Sequence, residues 1–180
     1  SGPDVMETLT IYRDAIQYVH DQTIRLMNKG YSADEISNVI ELPLEVSKSP
    51  FVREFYGTIR WSVKSIFNGY LGWFDGNVSN LDPLPSKDYA ERLVMLSGGE
   101  EELFASLQQA IEEKDMQWAL QLSDSLLTLN YKIDSTKKLR QQAIQYIGDR
   151  ATNPNKRNYF LSSANELNDG YKAEPLLPQT

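Results

Sequence analysis

The sequence predicts an all-α fold, a helical hairpin array with a TPR-like C-terminal half. Three observations predict it. Apolar residues recur at three-to-four spacing in segment after segment. Helix start and stop signals bracket those segments, among them Ser32-Ala33-Asp34-Glu35, Asp115, Gly30 and Gly98-Gly99. From Ser86 onward, helix pairs repeat at roughly the ~34-residue period of tetratricopeptide units, with the small and aromatic residues of such repeats only partly present.

The elements follow in order. Glu7 to Asn28 carries Leu9, Tyr12, Ile16, Val19 and Leu26 on one stripe, and Ile11, Ala15 and Tyr18 on a second beside it. So wide an apolar face predicts burial against more than one neighbour. Gly30 caps this helix, and Ser32 to Glu35 reads as a capping box opening a short helix to about Ile40. Leu42-Pro43 and Ser49-Pro50 mark an irregular crossing. Thr58 to Tyr70 is helical, with Ile59, Val63, Ile66, Phe67 and Tyr70 on one face. Gly72 to Pro85 is a loop and the best boundary between two sub-blocks. Helices are then predicted over Ser86–Leu96, Glu100–Glu113, a segment capped by Asp115, Ser135 to about Asp149, and Asn155–Leu167. The domain reading is one helical domain over 1–170, with sub-blocks at about 5–77 and 86–168, and a tail or linker over 171–180.

Composition narrows the functions. The chain has 180 residues, 41% of them hydrophobic, enough for a core. A net charge of −7 argues against a nucleic-acid partner, which would demand a basic patch. The longest apolar runs are too short for a membrane span, and no N-terminal segment has the form of a signal peptide. There are no cysteines and one histidine, His20, which excludes disulfides and leaves too few imidazoles for a usual catalytic zinc site. A serine triad would have to use His20 alone. The expectation is that its ring hydrogen-bonds a neighbouring helix or another domain. Arg13, Asp14 and Asp21 read as a solvated helix face or as pairs across an interface. Glu100, Glu101 and Glu102 suit the positive end of a helix, without the loop spacing of a calcium site. Tyr56 and Trp118 read as core residues.

Several segments resemble, in order, the dimerisation domain of the zinc-dependent alkyl sulfatases. They are Tyr12-Arg13-Asp14-Ala15-Ile16-Gln17-Tyr18 with His20-Asp21-Gln22-Thr23, Asn28-Lys29-Gly30, Phe55-Tyr56-Gly57-Thr58, Tyr70-Leu71-Gly72-Trp73-Phe74-Asp75-Gly76-Asn77, Trp118-Ala119, and Arg157-Asn158-Tyr159-Phe160-Leu161 with Glu166-Leu167. The resemblance covers about residues 5 to 168. It implies a three-part parent enzyme that hydrolyses alkyl sulfate esters to alcohol and sulfate. Two zinc ions would sit in a metallo-β-lactamase-type domain, and a third domain would resemble sterol carrier proteins. None of the metal ligands carries onto this chain, so no cofactor is expected in it. Ser1-Gly2-Pro3 would lie just past the catalytic domain, and Pro175 to Thr180 would begin the link to the third domain. A periplasmic or secreted parent is compatible with the resemblance.

The expected partners are a second copy of the chain and the catalytic and C-terminal domains of the parent. The interface would take Tyr12, Ile16 and Val19 from the first long helix and Ile59, Val63 and Phe67 from the helix after Thr58. By the same resemblance, Tyr70 matches a tyrosine that faces the sulfate-binding cleft, where a phenol donates a hydrogen bond to a sulfate oxygen. Gly72 would let the backbone come close, and Trp73 would wall the cleft. The competing reading is a TPR-like scaffold for a peptide or protein, with Asn130, Lys132, Lys137, Lys138 and Arg140 as its polar material.

Overall fold

The computed structural model describes residues 2–168, apart from the side chain of Pro3. The expected tail over 171–180 lies outside them. The described residues form nine α-helices and two short 3-10 turns, with no strand among them. None of these helices is long and apolar enough to cross a membrane. The chain divides into two compact units, Ser1–Pro83 and Leu84–Thr180.

In the first unit, α1 (Gly2–Met27) begins earlier than the expected Glu7 and ends where Gly30 takes φ +85°. The Tyr31 amide donates to the Leu26 carbonyl and closes the end of the helix. Ser32 then builds the capping box of α2 (Ala33–Val39): its hydroxyl accepts from the Glu35 amide, and Glu35 Oε2 accepts from the Ser32 amide at 2.8 Å. A one-turn α3 (Leu44–Ser47) and the 3-10 turn Pro50–Val52 make the irregular crossing between the two proline breaks. Two acceptors start α4 (Ile59–Leu71): Thr58 Oγ1 takes the Trp61 amide, and Glu54 Oε1 takes the Ile59 amide at 2.6 Å. The α1, α2 and α4 helices enclose Val19, Leu26, Ala33, Ile36, Ile40, Val63 and Phe67. Full burial of a side chain such as Ile36 or Val63 stabilises by about 1.5–3 kcal/mol. Asp34 and Lys64 pair at 3.1 Å between α2 and α4.

The second unit is a run of five helices joined by short connections: α5 (Ser86–Ser97), α6 (Glu100–Glu112), α7 (Met116–Thr128), α8 (Ile133–Arg150) and α9 (Pro154–Glu166). Gly98 and Gly99, both at positive φ, allow the sharp reversal between α5 and α6. Asp115 caps α7 through the Trp118 amide, and buried Asn153 caps α9 through the Lys156 amide. Each helix packs on its neighbours around Leu103, Leu107, Ala119, Leu122, Leu126, Ala143 and Ala164. The first helices of successive pairs begin at Ser86, Met116 and Pro154, an uneven interval.

Two core expectations fail. Tyr56 is 81% exposed, because the crossing segment runs along the outside of its unit. Trp118 is exposed as well; α7 turns Met116, Ala119 and Leu122 inward, and Trp118 falls on the other side of the helix.

Candidate functional site

The structure divides the apolar face of α1 into a covered stripe and an uncovered one, and not along the expected line: Val19 and Leu26 part from Leu9, Tyr12 and Ile16. Ala15, Val19, Thr23 and Leu26 are buried, with Ile11 and Tyr18 half-buried beside them. Thr23 tolerates burial because its hydroxyl donates to the Val19 carbonyl at 2.6 Å. Val5, Leu9, Tyr12 and Ile16, spaced four, three and four residues apart, form the other stripe and stand in solvent, Ile16 at 57% exposure. Between α1, the crossing segment and α4 lies an open groove of about 300 Å³. Tyr12 and Ile16 form its α1 rim, Phe51 and Val52 its opposite wall, and Ile59 and Ile66 its α4 side.

The six apolar residues expected at an interface therefore separate into groups. Tyr12 and Ile16 are exposed, and Ile59 is half-buried at the groove. Val19, Val63 and Phe67 sit in the unit's own core, Val63 fully enclosed, and offer no surface to a second chain. The physical reason is competition: α1, α2 and α4 need those three side chains to close on each other.

The end of α4 presents the second cluster. Tyr70 is 61% exposed and Trp73 is 73% exposed. Trp73 stacks edge-on against half-buried Phe74, with centroids 5.9 Å apart. Gly72 takes φ +80° and ψ −164°, a backbone region essentially restricted to glycine. A Cβ there would meet nothing within 4 Å, so within this unit the glycine serves the turn rather than a close approach. The loop that follows is pinned by Asp75. Its Oδ1 accepts from the Asn77 amide at 2.9 Å and its Oδ2 from Asn80 Nδ2 at 2.6 Å. Those bonds, the amide of Asn77 first, hold the Asp75 carboxyl below the usual range.

A hydrogen bond that periodicity could not show joins the two clusters. His20 Nε2 lies 2.9 Å from the Tyr70 hydroxyl, and His20 Nδ1 lies 2.9 Å from Asp21 Oδ1. The pairing spans fifty residues of sequence. Arg13 pairs with Asp14 beside it. Among the described residues, no three His, Cys, Asp or Glu side chains come together as a metal site.

Two of the five polar residues of the scaffold reading are engaged inside the second unit. Lys132 pairs with Glu101 at 2.6 Å, and Arg140 pairs with Asp124 at 2.6 Å while donating to the Leu120 carbonyl. Asn130 takes φ +57° in the turn before α8.

Fold and surface together define an all-α association module: helices that close two cores and leave one long apolar stripe uncovered. A family profile described as alkyl sulfatase dimerisation matches residues 32–170, and the chain belongs to that family. A linear primary-alkylsulfatase from Pseudomonas sp. (strain ATCC 19151) is 39% identical over 164 residues, which is 91% of this chain and 31% of that protein. The alkyl/aryl-sulfatase of Saccharomyces cerevisiae (strain ATCC 204508 / S288c) is 31% identical over 166 residues, 92% of this chain and 26% of that protein. The solved structure of a stereoselective inverting sec-alkylsulfatase from Pseudomonas sp. superposes with a TM-score of 0.88 at 29% identity, over 96% of this chain and 27% of that one. The chain thus spans about a quarter to a third of the proteins it matches.

Proposed function

We propose that this chain is the dimerisation module of an alkyl sulfatase and that α1 carries its two-fold contact. The observation that carries the reading is the exposed stripe Val5, Leu9, Tyr12 and Ile16, continuous with the apolar groove. A second copy of the chain is the occupant that fits. The family is described by dimerisation, and a two-fold axis brings one stripe against the same stripe of the partner. A stable contact of this kind buries on the order of 1,200–2,000 Å² in total. Tyr12 and Ile16 form its centre, with Ile59 at the edge. Val19, Val63 and Phe67 support it from the core behind.

In the same reading, the parent enzyme hydrolyses alkyl sulfate esters to alcohol and sulfate. Its zinc ions would belong to a catalytic domain outside this chain. Tyr70, Gly72 and Trp73 would lie near the substrate. Tyr70 offers a hydroxyl, Trp73 an apolar wall, and Gly72 the turn that presents both. One helical domain over 1–170 remains the proposed extent of the module. Light scattering coupled to size-exclusion chromatography tests the reading. A dimer mass that holds on dilution supports it, and a monomer at every concentration overturns the α1 contact.

A further inference from the structure

The one histidine of the chain stands in a hydrogen-bonded row that dimerisation leaves unused: Asp21, His20, Tyr70. A carboxylate only accepts hydrogen bonds. The bond from His20, above all, holds the Asp21 carboxyl below its ordinary range and so keeps it ionised at neutral pH. His20 Nδ1 therefore carries a proton, and two states of the ring remain. In the neutral ring, Nε2 has only a lone pair, so the Tyr70 hydroxyl must donate inward to it. An approaching anion then meets phenol lone pairs and no donor. In the imidazolium, Nε2–H donates to the phenol oxygen, which frees the Tyr70 O–H to point outward beside a new positive charge.

Other charged groups reach the surroundings of the ring, and the Arg53 guanidinium is a cation at the same groove in either state of His20. The crossing segment brings Arg53 and Glu54 to the groove that His20 lines, and Glu54 accepts from the Ile59 amide. From α4 comes Tyr70 itself. Lys64 of α4 pairs with Asp34 of α2. On α1, Asp21 holds the ring and Asp14 pairs with Arg13.

We propose that Asp21 and His20 are positioning residues that make the Tyr70 hydroxyl a proton-gated donor to one oxygen of an anionic sulfate ester. Binding at Tyr70 then takes up one proton on His20. The choice of a sulfate ester rests on the alkyl sulfatase reading; the coupling to a proton rests on the three side chains. A ligand that binds only the imidazolium form loses about tenfold in apparent affinity for each pH unit above the His20 midpoint, because the competent fraction falls by that factor.

A single histidine gives an unambiguous ring signal, so the whole chain can be titrated by NMR. The probe is hexyl sulfate below its micellar range, compared with chloride at equal ionic strength. The expected result is a His20 midpoint raised by about half a unit or more, roughly threefold in proton affinity. The rise is expected to vanish in Tyr70→Phe and to shrink in Asp21→Asn, with helical circular dichroism unchanged in both. An unmoved midpoint overturns the proposal. So does an equal rise in Tyr70→Phe, which would mean that the anion answers to the ring charge alone. Light scattering on the same samples keeps the two proposals apart. A dimer with no midpoint shift sinks only this one, and a shift in a monomer sinks only the dimer.

Discussion

The two units handle apolar surface in opposite ways. The second turns its large side chains inward: Leu103, Leu107, Leu122 and Leu126 are enclosed, and small Ala119, Ala143 and Ala164 let the helices approach. The first unit holds most of the large apolar side chains that stand exposed, from Val5 and Leu9 through Phe51 and Tyr56 to Tyr70 and Trp73. A contiguous exposed apolar surface on a folded chain marks a place of contact. On the proposed reading, the second unit is built for its own stability and the first for what it touches. Substitutions in the two should fail in different ways.

The largest effect is expected in the second core. Leu107→Ala should lose about 2–5 kcal/mol, read by urea unfolding, because the site is fully enclosed and leaves a cavity. Ile16→Asp, on the exposed stripe, should change the stability of the monomer by less than about 0.5 kcal/mol and yet abolish the dimer. Equal destabilisation by both changes would mean that Ile16 serves the fold of its own unit as Leu107 does. Next comes the contact of α8 with α9. A Cβ at Gly148 would lie 2.8 Å from Leu161 Cδ2 and 3.3 Å from Phe160 Cβ. Gly148→Val should cost about 1–3 kcal/mol by overpacking, measured by the same unfolding curves. In the first unit, Gly72→Ala meets open space but an unfavourable backbone, at a cost of about 1–3 kcal/mol. Its effect should appear as faster hydrogen exchange over the loop rather than as global unfolding.

The smallest effect concerns the pairing of Glu101 with Tyr131 and Lys132 at the start of α8. Lys132 first, then Tyr131, lowers the pKa of Glu101, while Glu101 raises that of Lys132. A lowered carboxylate stabilises above its ordinary range, and that contribution is lost as pH falls through the folded value. A raised lysine stabilises below its ordinary range and loses its share as pH climbs through the folded value. Thermal melts of Glu101→Gln and the parent chain should therefore differ slightly across neutral pH and converge at both acidic and strongly alkaline pH. A constant difference at all pH values would mean that the charge is not what matters there.

Much of the fold was legible because helices are written locally. Ser32 with Glu35, Asp115, and Gly98-Gly99 mark ends that the structure keeps within a residue or two. What periodicity could not give was the neighbour of each face. Leu9, Ile16 and Val19 share one helically spaced stripe of α1, and only the packing of α2 and α4 decides that Val19 goes inward with Ala15 while Leu9 and Ile16 stay out. Tyr56 and Trp118 misled for the same reason: an aromatic at a plausible spacing carries no record of what folds over it. The bond from His20 to Tyr70 bridges two helices distant in sequence, and its only sequence signal was a lone histidine without metal-binding company.

The α1 contact can be tested most directly by distance. The chain has no cysteine, so Arg13→Cys gives one attachment site per subunit, beside the stripe, for a spin label. Pulsed electron resonance on the dimer should give a sharp inter-subunit distance on the order of two helix diameters, ~20 Å. A dimer that shows no distance in that range would place the contact elsewhere and contradict the assignment of α1.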